Sequence, residues 1–138
     1  MELFPAVVVT GLNEAVAALA RGQPVTLLSA PGAALSAGCG WWAALVQAAR
    51  AAHPQVTAID ILDCADATGH AFAALRIGLC RLILWPEAPG RDAVVTIAEA
   101  MGGFVLAAPP SLERHGEGPE RNPGLPPSKP LPPPPTKR

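Results

Sequence analysis

The chain of 138 residues is poor in tyrosine, lysine and charge. It contains no tyrosine, charged residues make up 15% of it, and the first lysine is Lys129. The formal net charge is −1 and the arginines are scattered, so we expect no nucleic-acid binding by the folded part. With no lysine or tyrosine and few convergent acids before residue 109, the sequence favours binding over catalysis.

Long apolar runs and an export signal are missing as well. No run approaches the roughly 18 uninterrupted apolar residues that mark a membrane helix. Glu2 stands where a secretory signal carries lysine or arginine. Three cysteines, an odd number without such a signal, indicate free thiols in a reducing compartment. We therefore expect a cytoplasmic protein that makes no membrane contact.

Apolar residues make up 50% of the chain, and glycine and proline divide them into short segments. The patterns predict strands at 6–10, 25–29, 56–62, 81–85 and 104–107, with helices at 13–21, 40–53, 66–77 and 91–101. Asn13 and Asp66 are the predicted helix caps. This alternation predicts one α/β domain over 1–109. The expected fold is a small three-layer α/β/α (Rossmann-like) domain with an open, mostly parallel sheet of about five strands and helices on both faces.

The composition changes at the end of this domain. Eleven of the 17 prolines lie between Pro109 and Pro135, and the segment offers little that a core could bury. Residues 110–138 are therefore predicted to be a disordered, proline-rich tail. Its matches to K-x-x-P-x-x-P and P-x-x-P-x-K resemble ligands of SH3-type domains, with contacts at Lys129, Pro132, Pro135 and Lys137. A plain solubilising tail is the alternative to a protein-binding one.

The stretch after the second strand is the first candidate site, because ligands of open α/β sheets bind past the carboxyl ends of strands. Ser29 ends the strand, Gly32 lies in the loop, and Gly38, Cys39 and Gly40 open the next helix. Positions 38–43 match the dinucleotide pattern G-x-G-x-x-A, although the pattern begins well after the strand instead of directly behind it. Dinucleotide binding, simple phosphate or anion binding, and a chance match all stay open. A Walker phosphate loop is excluded because no Gly-Lys-Ser/Thr is present.

Thiols and carboxylates form the second candidate site, at the same edge. Cys39 at a helix start is placed for a lowered pKa, as a nucleophilic or redox thiol needs, with Asp63 as base or orienting group. Cys64 ends the third strand and could pair with Cys39 if the two strands are neighbours. The alternative is that these cysteines are small apolar core residues. No cysteine spacing fits a metal motif, so no metal or cofactor is predicted.

Two further features leave alternatives open. Asp60 lies inside an apolar strand, so it is either a buried acid, which would imply function, or a sign that the strand is out of register. Trp41 and Trp42 project about 100° apart on a helix, so one is expected to pack on the sheet and the other to be exposed. An exposed tryptophan there suits stacking or a protein interface.

One segment resembles part of a known family in the spacing of its residues. Residues 63–69, 74–78 and 82–84 are similar in rhythm to the β-α units of barrel aldolases. The similarity covers about 20 residues and lacks the aldolase lysine, so it implies architecture alone.

The sequence thus supports two kinds of function. The first is a non-catalytic binding or protein-interaction module that binds a small anion or phosphate at the carboxyl edge and a partner through the tail. The second is a small enzyme using Cys39 and Asp63, or a nucleotide-binding domain. The low charge and small-residue helices also allow a homodimer.

Overall fold

The computed structural model describes residues 3–112. Their elements, in chain order, are β1 (Ala6–Val9), α1 (Leu12–Ala20), β2 (Val25–Ser29), α2 (Ala33–Ser36), α3 (Cys39–Ala52), β3 (Ala58–Asp63), α4 (Thr68–Arg76), β4 (Arg81–Ile83), α5 (Arg91–Ala100) and β5 (Phe104–Leu106). The proposed tail contacts at Lys129, Pro132, Pro135 and Lys137 lie outside the described residues, as does most of the predicted tail.

The five strands form one sheet in the order β1-β2-β3-β4-β5, and every neighbouring pair is parallel. The predicted α/β class and the five-stranded parallel sheet are confirmed. β2 is buried along its whole length, as expected of a strand that is covered on two sides. The register pairs Leu27 with Asp60, which keeps Asp60 inside a regular strand.

The helices of the described residues share one face of the sheet, which differs from the expected three layers. All five helices contribute buried residues to one core cluster with Leu27, Leu62 and Leu82 of the sheet. The cluster on the opposite face, centred on Leu28 and Ile61, contains strand and N-terminal residues and none from a described helix. Sequential strand order explains this, because right-handed crossovers that all advance in one direction place each helix on the same side.

The second face is crossed by the end of the described chain. β5 and β1 lie at opposite edges of the sheet, yet Leu112, six residues after Leu106, forms a parallel bridge with Ala6 of β1. Because the helices occupy the opposite face, residues 107–112 must cross the face that carries Leu28 and Ile61 to reach β1. We call residues 107–112 the strap. In the middle of this face, Leu28 and Ile61 are 3% and 0% exposed.

Both predicted helix caps are wrong. α1 begins at Leu12, and Glu14 reaches back to accept hydrogen bonds from the Thr10 backbone N–H at 2.6 Å and from its Oγ1 at 2.9 Å. Asn13 therefore lies inside the helix and does not cap it. α4 begins at Thr68 after Ala67, so Asp66 precedes its cap position. The chain first completes a turn after β3, and this turn delays the helix.

Candidate functional site

The predicted site residues gather at the carboxyl edge of the sheet. Parallel strands end at one edge, and β2 and β3 are neighbours, so their C-terminal residues approach each other. The edge holds the ends of β2 and β3, the start of α2 and the first turn of α3, with Ser29, Gly32, Gly38, Cys39, Gly40, Asp63 and Cys64. The structure does not test whether these residues bind a ligand, and this assignment stays a prediction.

Ser29 and Asp63 form a buried link between neighbouring strands. The Asp63 backbone N–H donates to Ser29 Oγ at 2.9 Å, and this hydroxyl donates to the carbonyl of Ala30 at 3.1 Å. The backbone N–H of Ala65 donates to Asp63 Oδ1 at 2.8 Å, where Ala65 has a φ of 52°. Ser29 and Asp63 are 1% and 3% exposed. Both side chains are therefore engaged in shaping the turn after β3.

The two cysteines of this edge lie in different surroundings. Cys64 is fully buried in the helix-facing core, and its backbone N–H donates to the carbonyl of Ile83 at 2.9 Å. Burial, with the nearby Asp63 and Cys39, raises the pKa of the Cys64 thiol to about 12. Cys39 is the first residue of α3 and is only partly buried. Cys64 therefore stays protonated near neutral pH, which disfavours it as a nucleophile.

Large apolar side chains are exposed along the same edge. They are Leu12 in the first turn of α1, Leu35 in α2, Trp41 in the first turn of α3, and Trp85 after β4, with exposed fractions of 44%, 47%, 36% and 41%. We call these four residues the apolar rim. Sequence reasoning identified only Trp41, although each of the four lies within the connection that follows a strand, a position that could have marked them.

The prediction for the tryptophan pair is confirmed. Trp42 is fully buried while Trp41 is 36% exposed, and their ring centroids lie 5.9 Å apart. Within the described residues, the buried Nε1 of Trp42 has no acceptor. Trp42 therefore anchors α3 on the sheet by packing alone, and Trp41 is left at the surface of the rim.

A second polar group lies away from this edge, around Asp60. Asp60 is 5% exposed. Its Oδ1 accepts hydrogen bonds from the guanidinium groups of Arg50 in α3, at 2.8 Å, and of Arg81 in β4, at 3.4 Å. The same Arg50 nitrogen also donates to the carbonyl of Ala58 at 2.8 Å. Asp60 is thus a buried acid in a strand of correct register. Sequence reasoning missed both arginines, which lie 10 and 21 residues from Asp60 along the chain.

Residues 3–112 contain neither a cluster of metal ligands nor a helix that could span a membrane. Within this range no three histidine, cysteine or acidic side chains come together as metal ligands would. None of its helices combines the length and apolar character that crossing a bilayer requires.

No protein-family model and no curated protein matches this sequence. Any functional assignment therefore has to come from the geometry.

Proposed function

We propose that this domain is a non-catalytic protein-binding module that uses the apolar rim at the carboxyl edge of its sheet. The observation that carries the proposal is the exposure of four large apolar side chains at the edge where parallel α/β folds present their ligands. Exposed apolar clusters mark interaction surfaces, and tryptophan is enriched among residues that dominate binding energy.

The polar groups of this edge support binding over catalysis. A catalytic base needs a carboxylate that can reach substrate, but Asp63 is buried and already accepts a backbone hydrogen bond. Ser29 is engaged with neighbouring backbone groups in the same way. Cys64 is buried and protonated near neutral pH. An enzyme that used Cys39 as its nucleophile would therefore find no accessible catalytic partner among Ser29, Asp63 and Cys64.

The first test is capture of a partner by the immobilised full-length chain. Leu35→Glu places a charge in the rim, while Ile77→Glu places one at a side chain of similar exposure, 50%, at the other end of the helical layer. We expect a protein retained by wild type and Ile77→Glu to be retained at least about tenfold less by Leu35→Glu, because burying an unpaired charge is unfavourable. Equal retention by both variants, or no specific retention by wild type, would contradict the proposal.

The second test separates binding from thiol chemistry. The rate of Cys39 alkylation by iodoacetamide is measured across pH 5–9, with Cys64→Ala and Cys80→Ala variants isolating its signal. An activated catalytic thiol reacts rapidly well below pH 7. The binding-module proposal expects Cys39 to react no faster than free cysteine at pH 6, and a rate already at its plateau near pH 6 would favour the enzyme.

The same surface also bears on self-association. The partner of the rim can be a second copy of the chain, and sedimentation velocity distinguishes that case. A wild-type dimer that Leu35→Glu dissociates and Ile77→Glu preserves would identify the partner as this chain itself.

A further inference from the structure

The Arg50–Asp60–Arg81 group lines an open cleft that the rim does not use. The cleft has a volume of about 270 Å³ and lies between α3 and the connection from α4 into β4. Among the described residues that line it, these three carry the charge, and Gln47 is a further polar group. Two guanidinium groups and one carboxylate leave the cleft with one uncompensated positive charge.

The two arginines are only partly used by Asp60. The Arg50 side chain is 40% exposed, and one terminal nitrogen, Nη2, makes both of its polar contacts in the described residues. Arg81 is 34% exposed, and its one polar contact within residues 3–112 is the long one of 3.4 Å to Asp60. An arginine carries five N–H donors in a planar fork. Several donors of each guanidinium therefore remain available on the cleft side.

Asp60 holds the two guanidinium groups in place. Its carboxylate is 7% exposed and accepts from both arginines through the same oxygen, Oδ1. It brings together two like charges that would otherwise repel each other. Sites that bind phosphate or carboxylate groups use this kind of arginine pair, because planar forks match the oxygens of an oxyanion.

We propose that this cleft binds a small oxyanion between Arg50 and Arg81. The ligand is either a free phosphate ion or the phosphate group of a small metabolite. The net positive charge of the cleft favours an anion, and about 270 Å³ lies below the roughly 300–1,000 Å³ of sites for larger ligands such as nucleotides. The site is separate from the rim, so it can exist whether or not the rim binds a protein.

Inorganic phosphate is the first probe, and glycerol phosphate is the second. The full chain is titrated at constant ionic strength while the Nε–Hε resonances of its arginines are followed by NMR. We expect saturable shifts of the Arg50 and Arg81 resonances. Tighter binding of glycerol phosphate than of inorganic phosphate would indicate a metabolite, and the reverse order would indicate the free ion.

Arg81→Gln is the test variant, and Arg76→Gln is its control. Arg76 is an exposed arginine at the end of α4, so its loss changes the net charge equally without touching the cleft. We expect Arg81→Gln to weaken phosphate binding at least tenfold and Arg76→Gln to change it less than twofold. If Arg81→Gln does not fold, Arg81→Lys repeats the test, because it keeps the charge beside Asp60 and loses the fork.

Three results would overturn the proposal. The first is the absence of saturable shifts in the wild type. The second is equal weakening by both variants, which would mean non-specific attraction. The third is phosphate binding that survives in Arg81→Gln, which would place the anion elsewhere, for example at the start of α3.

Discussion

Alkaline pH should destabilise this protein through one residue, Cys64. The pKa of its thiol is raised from 9.0 to about 12 in the folded protein, so between these values the folded thiol keeps a proton that the unfolded thiol has released. The free energy of unfolding therefore falls as pH rises above 9, by about 1.4 kcal/mol per pH unit. The loss reaches about 3 kcal/mol at pH 11, a large part of the 5–15 kcal/mol typical of a domain.

The composition leaves few side-chain types that titrate between pH 9 and pH 12. The chain has no tyrosine, and both of its lysines, Lys129 and Lys137, lie beyond the described residues. Cysteine is therefore the one side-chain type of residues 3–112 whose ordinary pKa lies near this window. Of the three cysteines, Cys64 alone is fully buried.

The assay is urea denaturation under reducing conditions at pH 8 and pH 11, followed by tryptophan fluorescence. Cys64→Ala should lose about 1–2 kcal/mol at pH 8 through the small cavity it leaves, and then change little between the two pH values. Cys39→Ala, which removes a partly buried thiol, should keep the alkaline loss of the wild type. The reasoning fails if wild type is equally stable at both pH values, or if Cys64→Ala loses as much as wild type.

Three further substitutions probe packing, each measured by urea denaturation at pH 7. Gly103→Ala places a Cβ 1.9 Å from the carbonyl oxygen of Cys80, so it should cost about 3 kcal/mol or more, whereas Gly69→Ala meets nothing within 4 Å and should stabilise α4 by about 0.5–1 kcal/mol. Equal effects of the two would refute the close approach of β4 and β5. Asp60→Asn should cost about 2 kcal/mol, less than the loss of a fully buried ion pair, because its two arginine partners reach solvent. No loss would show that the ion pairs contribute nothing. Trp42→Phe should change stability by less than about 1 kcal/mol, because the lost volume is offset by removing a buried N–H without an acceptor. A much larger loss would mean that the indole nitrogen has a partner.

Local patterns were sufficient for the elements but not for their arrangement. The runs at Val25–Ser29 and Phe104–Leu106 predict strands because apolar residues between glycine and proline breaks have few alternatives. The placement of helices on one face depends on strand order, and strand order is decided by long-range pairing that the periodicity of any one segment does not contain. Right-handed crossovers fix the side of each helix only after that order is known.

The candidate site was likewise predictable from the sequence only in part. Position at the carboxyl edge follows from strand ends, so Ser29 and Asp63 could be brought together by reasoning from the sequence. The engagement of the Asp63 carboxylate could not, because it depends on the turn at Ala65, whose φ of 52° is uncommon for a residue other than glycine. The arginines around Asp60 were missed for a similar reason. Charges that meet across elements leave no periodic signal in the sequence.

The strap spans the domain boundary that the composition predicts. The sequence predicts that the domain ends at residue 109, which lies inside the strap. The boundary is placed there because proline and a lack of β-branched residues are typical of a linker. Leu28 and Ile61 have no helix of the described chain above them and are nevertheless buried. The side chains packed around them come from the strands and the N-terminal segment, and the bridge between Leu112 and Ala6 attaches the end of the described chain to β1.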